Sequence, residues 1–352
     1  MGRIRTRLAE EHDRDSLIAF VRDYWSARHV FVDQPEVFDW QYAQRDGRIN
    51  MILAEEVEDS GTARVLGVLG FIPMGRFDPA LGDDDLLLAL WKVRDDIAPP
   101  GLGLRLLKSV QSLLKPRLIG AIGISDMVGP IYRALGYTLD KLHHAALFDP
   151  ELATFRIAQG VPGARPAFGP AGGYRLRPFL PADAGAIATL AGAQIPAKST
   201  DYIRERYIDH PWYDYTLRVV ERGNIPEALV VWRAVDAEGA RLLRIVDMIG
   251  APDWLACAGP LLTRELRAVG AEYIDLMQTG VDKDILDRGG WMSPDDYDGL
   301  ILPNYFAPFE ARNTQIALSW KMFGDSGDKP LRLFRADSDQ DRPNQPMQYR
   351  SV

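Results

Sequence analysis

The residues best suited to chemistry lie together at 86–104. An apolar run, Leu86-Leu87-Leu88-Ala89-Leu90-Trp91, passes through Lys92-Val93-Arg94-Asp95-Asp96 to Ala98-Pro99-Pro100-Gly101-Leu102-Gly103-Leu104 and then a leucine-rich stretch. A strand that ends in a glycine-bearing turn and opens a helix presents amides with no partner inside the helix. The glycines let a ligand come close to the backbone, so the sequence predicts a phosphate site here. Pro99 and Pro100 have no amide protons, which leaves Gly101, Leu102, Gly103 and Leu104 as donors; proline in a first helical turn also presets the loop. No metal is expected. The chain has one cysteine, Cys257, and five histidines without zinc spacing, and the adjacent His143 and His144 suit a strand or surface pair. Asp337-Ser338-Asp339-Gln340-Asp341 starts like a calcium loop, but Arg342 and Gln348 stand where such a loop needs glycine and glutamate.

Composition narrows the partners. With 352 residues, 47% of them hydrophobic, the chain has enough apolar surface for two cores. Its 41 basic and 49 acidic residues leave a net charge of −8, which argues against nucleic acid or an anionic membrane as partner. The N-terminus lacks an apolar core of signal-peptide length, and no run approaches the ~20 apolar residues of a membrane span. A cytoplasmic protein is expected.

The elements that must position the glycine turn follow from periodicity. Ile4–Leu8 alternates as a strand, and Asp13–Trp25 has helical spacing. Residues 29–50 are aromatic, with Phe38, Trp40 and Tyr42 set to staple a further helix to the core or to line a substrate mouth. Strands follow at 51–56, 63–73 and 86–93, then a helix from Gly103 to Leu114 ended by Pro116, and a strand at 118–124. Ser125 or Asp126 is placed to cap a short helix that Gly136 terminates. A strand near 145–148 is expected to close this domain. Residues 151–173, rich in proline and glycine, suit a linker. The pattern then repeats: a strand at 174–179, a helix at 181–193, an aromatic stretch at 200–215, strands at 217–220, 228–235 and 242–249, a helix at 254–269, a strand at 273–277 and a helix at 282–291. The repeat lacks the glycine turn, having Gly250-Ala251-Pro252-Asp253-Trp254, where Asp253 suits a helix cap. A polar tail occupies 323–352.

This order of elements resembles the GNAT superfamily of acyl-CoA-dependent N-acyltransferases, and two motifs agree with it. Ala98-Pro99-Pro100-Gly101-Leu102-Gly103 is similar to the family's pyrophosphate loop after the fourth strand. Ser125 through Ile131-Tyr132-Arg133-Ala134-Leu135-Gly136-Tyr137 is similar to its later signature. The resemblance implies an α+β fold with two tandem GNAT-like domains, each a central, mostly antiparallel sheet flanked by helices. Residues 1–150 would form the acyl-CoA-binding copy and 174–322 a degenerate second copy, with Leu286 where the first has Tyr132.

Carried onto this sequence, the resemblance implies acetyl-CoA or another acyl-CoA as co-substrate. Trp91, Lys92 and Val93 would pair with pantetheine through their backbone, Gly101–Leu104 would cradle pyrophosphate, Ser125 would stand beside the cofactor, and Tyr132 would act as general acid. Base candidates are Glu55, Glu56, Asp95 and Asp96. The acceptor would be a small-molecule primary amine. Trp40, Tyr42, Trp212 and Tyr213 suit an amino sugar, because aromatic faces stack on sugar rings, and a small amine or an amino acid is equally compatible. The Asp-rich, Arg-Pro tail resembles acyltransferase-like proteins of surface-polysaccharide clusters. Three other classes are weighed: an inactive tandem module that binds a metabolite or protein, favoured by Ala98 and the paired prolines; aminoacyl-tRNA-dependent transferases, disfavoured by the acidic balance; and a dinucleotide-binding dehydrogenase, which would need a third glycine.

Overall fold

Alternation and helical spacing are realised almost element by element. In the computed structural model, which describes residues 2–61 and 63–350, the first half runs β1 (Arg3–Glu10), α1 (Arg14–Tyr24), α2 (Val30–Asp33), α3 (Pro35–Tyr42), β2 (Arg48–Val57), β3 (Ala63–Pro73), β4 (Asp85–Val93), α4 (Leu102–Leu114), β5 (Leu118–Ile122), α5 (Gly129–Ala134), β6 (Thr138–Lys141) and β7 (His143–Phe148). Helix α4 forms because Leu102, Leu106, Leu107 and Val110 recur at helical spacing and bury one face on the sheet, at about 1.5–3 kcal/mol for each large side chain. It ends where Lys115 turns left-handed (φ 51°) ahead of Pro116. Three aromatics of 29–50 are core, and Trp40 is half-buried. Phe31, Phe38 and Tyr42 are each 0% exposed and pack ring against ring, with centroids 5.3–5.7 Å apart.

The second half runs β8 (Tyr174–Pro178), α6 (Ala184–Gly192), α7 (Thr200–Ile203, continued by a wider turn through Ile208), β9 (Thr216–Arg222), β10 (Ile225–Ala237), β11 (Ala240–Gly250), α8 (Ala258–Val269), β12 (Tyr273–Thr279), α9 (Lys283–Arg288), β13 (Ala317–Met322) and β14 (Leu333–Phe334). The chain divides into two compact units, each discontinuous in sequence. Unit 1 takes the chain through Leu139 with Ser319–Ser326 and Ser338–Tyr349; unit 2 takes Asp140–Leu318 and Gly327–Asp337, with Arg350.

These units depart from a division at 150, 174 and 322. Strand β7 does not close the first sheet. It pairs antiparallel with β12 in unit 2, while the sheet of unit 1 runs β1-β2-β3-β4-β5-β13-β6. The cause is local. Only Leu142 separates β6 from β7, and an antiparallel hairpin needs a loop of about two residues, so the chain cannot turn back and another strand fills the place. Nor is 151–173 a free linker. Ile157 and Ala158 are buried, and the Arg156 and Ile157 amides donate to the Glu272 carboxylate at 2.9 and 3.2 Å. The tail is also built in: Leu333, Phe334, Asp337 and Asp341 are each 0% exposed.

Both units carry the same ionic brace around a buried glutamate. Arg5 and Arg7 donate to Glu55, the second at 3.0 Å, and Arg7 also holds Asp13 at 2.6 Å. Arg175 and Arg177 donate likewise to Glu221, the second at 2.9 Å, and Arg177 holds Asp183 at 2.7 Å. In each case the aspartate also accepts the backbone amide three residues before it, fixing the strand-to-helix corner. The shared brace lets positions in the two units be matched.

Candidate functional site

In unit 1, β4 and β5 are parallel partners only from Asp85↔Leu118 to Leu88↔Ala121. Between the pairs Leu69↔Trp91 and Phe71↔Leu88, Gly70 of β3 faces both Ala89 and Leu90, so β4 bulges there and turns away from β5. Beyond the bulge Trp91, Lys92 and Val93 keep their β3 partners but have no ladder to β5. A V-shaped opening results, with one backbone edge able to pair an extended ligand. The strand leads to Gly101, whose left-handed backbone (φ 81°) only glycine adopts readily, and α4 begins at Leu102. Gly103 answers a different need, since a Cβ there would stand 3.2 Å from Trp91 Cζ2.

One expected donor is lost. The Leu102 amide is spent on Pro99 O at 3.3 Å, and its side chain is 3% exposed. Arg105 N–H to Gly101 O, 3.0 Å, is the first bond of the α4 ladder, so the Gly101, Gly103 and Leu104 amides precede every carbonyl that α4 could offer them. These donors with the open β4 edge fit a linear amide-bearing cofactor that ends in pyrophosphate. Lys92 pairs with Asp95 at 2.7 Å. Ser125 is exposed and caps nothing: Val128 stands at the start of α5, its amide donating to Ser125 O at 3.1 Å.

Tyr132 lies on α5 at 1% exposure, its ring edge-on to Trp91 (6.0 Å) and Tyr137 (5.0 Å). Burial pushes its phenol well above the usual tyrosine range, so it holds its proton at neutral pH. Gly136 ends the helix as expected, with its amide on Arg133 O and that of Tyr137 on Tyr132 O, both at 3.0 Å.

The four candidate bases are engaged elsewhere. Glu55 sits in the brace, Glu56 pairs with Arg64 at 2.5 Å, Asp95 with Lys92 and Asp96 with Arg94 at 2.7 Å. A different carboxylate reaches the apex of the opening. Ser338 Oγ lies 3.4 Å from Leu88 O and 3.5 Å from Asp339 Oδ1, its one proton able to serve either, Asp339 Oδ1 accepts from Gln340 Nε2 (3.2 Å), and the Gln340 side-chain amide lies against Gly123, just past β5. Ser338 and Gln340 thus carry Asp339 across the point where β4 and β5 part, and Asp339 pairs loosely with Arg342 at 3.8 Å. The local aspartate pattern of these residues says nothing of this placement, because chain far from β4 brings them there.

Unit 2 repeats the geometry with other contents. Val246 is the extra residue of a β11 bulge, and β11 pairs with β12 only over Leu243–Ile245. Gln278 of β12 pairs with His143 of β7 on one edge and Phe334 of β14 on the other, so β14 lies in the opening beside β11. Lys198, 3% exposed, binds Asp247 at 2.5 Å and Asp337 at 2.7 Å, and Tyr207 donates to Asp247 at 2.6 Å. Burial works to neutralise Lys198, but the two carboxylates outweigh it and hold the ammonium charged. Asp253 caps no helix. It opens a short 3-10 turn ahead of α8, and Phe168 covers the first turn of α8, where a Cβ on Gly259 would stand 2.2 Å from the ring. Where unit 1 has Leu87 and Gly120, unit 2 has Arg244 and Asp275, bound at 2.5 Å, with His144 on the same carboxylate at 2.9 Å.

Two of the four proposed sugar platforms are lost to the core: Tyr42 is 0% exposed and Trp212 4%. Tyr213 stacks flat on His210 (5.2 Å, 5°), and Trp40 packs on Phe77. Among the described residues no cluster of acidic, histidine or cysteine side chains is arranged to hold a metal, and no helix is long and apolar enough to cross a membrane.

No protein-family model matches the sequence, and no curated protein matches it. Solved structures do match in fold. A GCN5-related N-acetyltransferase from Anabaena variabilis is 11% identical, with a TM-score of 0.55 over 92% of this chain and 73% of that one. Another from Kribbella flavida is 13% identical (TM-score 0.52, covering 91% and 71%), and an Enterococcus faecalis protein described as a probable N-acyltransferase is 10% identical (0.52, 90% and 72%). The fold is therefore that of the GCN5-related N-acetyltransferases, α+β and present twice in the chain.

Proposed function

We propose that the chain is an acyl-CoA-dependent N-acyltransferase whose chemistry resides in unit 1. The observation that carries this reading is the β4 bulge, with its unpaired edge leading directly to Gly101 and the first turn of α4. The backbone of Trp91–Val93 pairs with the amides of pantetheine, and the Gly101, Gly103 and Leu104 amides, aided by the helix dipole, hold pyrophosphate. When bound, acyl-CoA supplies the acyl group and a thiol leaving group. Tyr132 keeps a proton on its hydroxyl beside the β4 edge and is the acid. Asp339, at the apex, is the carboxylate that takes a proton from the acceptor ammonium and leaves a neutral amine able to attack. The acceptor is a primary amine of a small molecule; an amino sugar rests on Trp40, which of the two aromatic candidates in unit 1 is the one not fully buried. Isothermal titration tests the reading: acetyl-CoA binds at micromolar to millimolar strength, and absence of heat and of thermal stabilisation at millimolar ligand contradicts it.

One observation favours the inactive module. The Ser338–Gln340 segment lies across the apex, where an acceptor would approach. Thiol release from acetyl-CoA in the presence of a primary amine separates the two, since a module that only binds releases none.

A further inference from the structure

We infer that the opening of unit 2 has changed its ligand: it is a peptide groove filled by the chain's own residues 331–337, and it takes no acyl-CoA. The inference rests on the proposed function only for the name of the ligand displaced.

Two independent features close the two ends of the track. At the bulge, Leu333 and Phe334 add to the free edge of β12 as an antiparallel strand, pairing with Thr279 and Gln278, and so occupy the space beside β11 that a cofactor paired to the β11 edge would need. The segment is fixed before and after this pairing. The Ile195 amide donates to Pro330 O at 3.0 Å, the Arg332 amide returns to Ile195 O at 2.8 Å, and the Arg332 guanidinium holds Gly250 O at 2.7 Å. After the strand the Phe334 amide donates to Asp337 at 2.7 Å, and Asp337 meets Lys198, both side chains being 0% exposed. The fit is close: a Cβ on Gly280 would stand 2.1 Å from Leu331 O. At the other end, Phe168 and the 3-10 turn of Asp253–Cys257 cover the start of α8, where a pyrophosphate would need bare amides. Unit 1 differs at both ends. Among the described residues Ser338–Arg342 forms no strand in its opening, and the turn before α4 is exposed at Pro99, Pro100 and Gly101.

The buried lysine is the anchor of this groove. An ammonium between two carboxylates in the interior is stable only while all three are present, because loss of one partner leaves the others poorly compensated. The groove therefore selects an extended apolar pair followed three residues later by an acid, as in Leu333-Phe334-Arg335-Ala336-Asp337.

Hydrogen exchange on the full chain tests this, with acetyl-CoA as the probe. The amides of 333–337 should exchange at least about 100-fold more slowly than in an unfolded chain and stay unchanged at saturating acetyl-CoA, while exchange at 101–104 slows. Asp337→Ala should speed exchange at 334–336 by about tenfold or more without altering 101–104. Fast exchange at 333–337 in the wild type, faster exchange there on adding acetyl-CoA, or no effect of Asp337→Ala overturns the inference. If acetyl-CoA alters no segment while 333–337 stay protected, the closed groove stands and the acyl-CoA reading of unit 1 fails.

Discussion

Three side chains of unit 1 define the chemistry and its limits. Tyr132 is held protonated by burial, as an acid for a departing thiolate must be. Tyr132→Phe removes that proton while keeping the ring contacts with Trp91 and Tyr137. It should lower turnover of acetyl-CoA with glucosamine as probe amine by about 10²-fold, with acetyl-CoA affinity unchanged. Asp339→Asn should lower kcat/KM by about 10²-fold or more, again with affinity for acetyl-CoA intact. His29 sets a pH dependence of stability. Its Nδ1 accepts the Phe31 amide at 3.2 Å, and burial, with help from Arg342, lowers its pKa to about 4 from 6.5. The folded chain thus resists a proton that the unfolded chain accepts, so this contribution is full above pH 6.5 and is lost as pH falls towards about 4. His29→Asn keeps a capping acceptor that does not titrate. Urea midpoints at pH 7 and 4.5 should then differ less in the variant than in the wild type.

At the scale of elements, α4 carries the site because its apolar face fixes it to the sheet. Leu106→Ala, at a position 0% exposed, should cost about 2–5 kcal/mol, read as a lowered denaturation midpoint. Most elements were legible because each follows from local periodicity. The strand, glycine turn and helix of 86–114 needed only its own residues, as did the Gly136 stop. Pairing between distant segments left no such mark. That β13 fills the place beside β5 follows from the one residue between β6 and β7, a detail visible in sequence but decisive only once the strand ends are known. The glutamates show the same limit. Glu55 has the composition of a base, and only its geometry, repeated by Glu221, makes it a brace. Asp339 shows the opposite limit, since in sequence it belongs to an aspartate run that imitates a calcium loop in a polar tail, with no sign that this segment returns to the point where β4 and β5 part.

In the molecule as a whole, two copies of one fold have diverged at their openings. One keeps glycines, a free strand edge and a phenol; the other has taken in buried charge and its own chain. The second is an accurate control for the first, because the same bulge without the glycine turn is filled. The most direct test of this account is calorimetric titration of acetyl-CoA into the full chain and into Gly103→Asp, which sets a carboxylate and a clash with Trp91 at the start of α4. The expected result is one equivalent bound by the wild type and none by the variant. Two equivalents, or binding that survives Gly103→Asp, would contradict it.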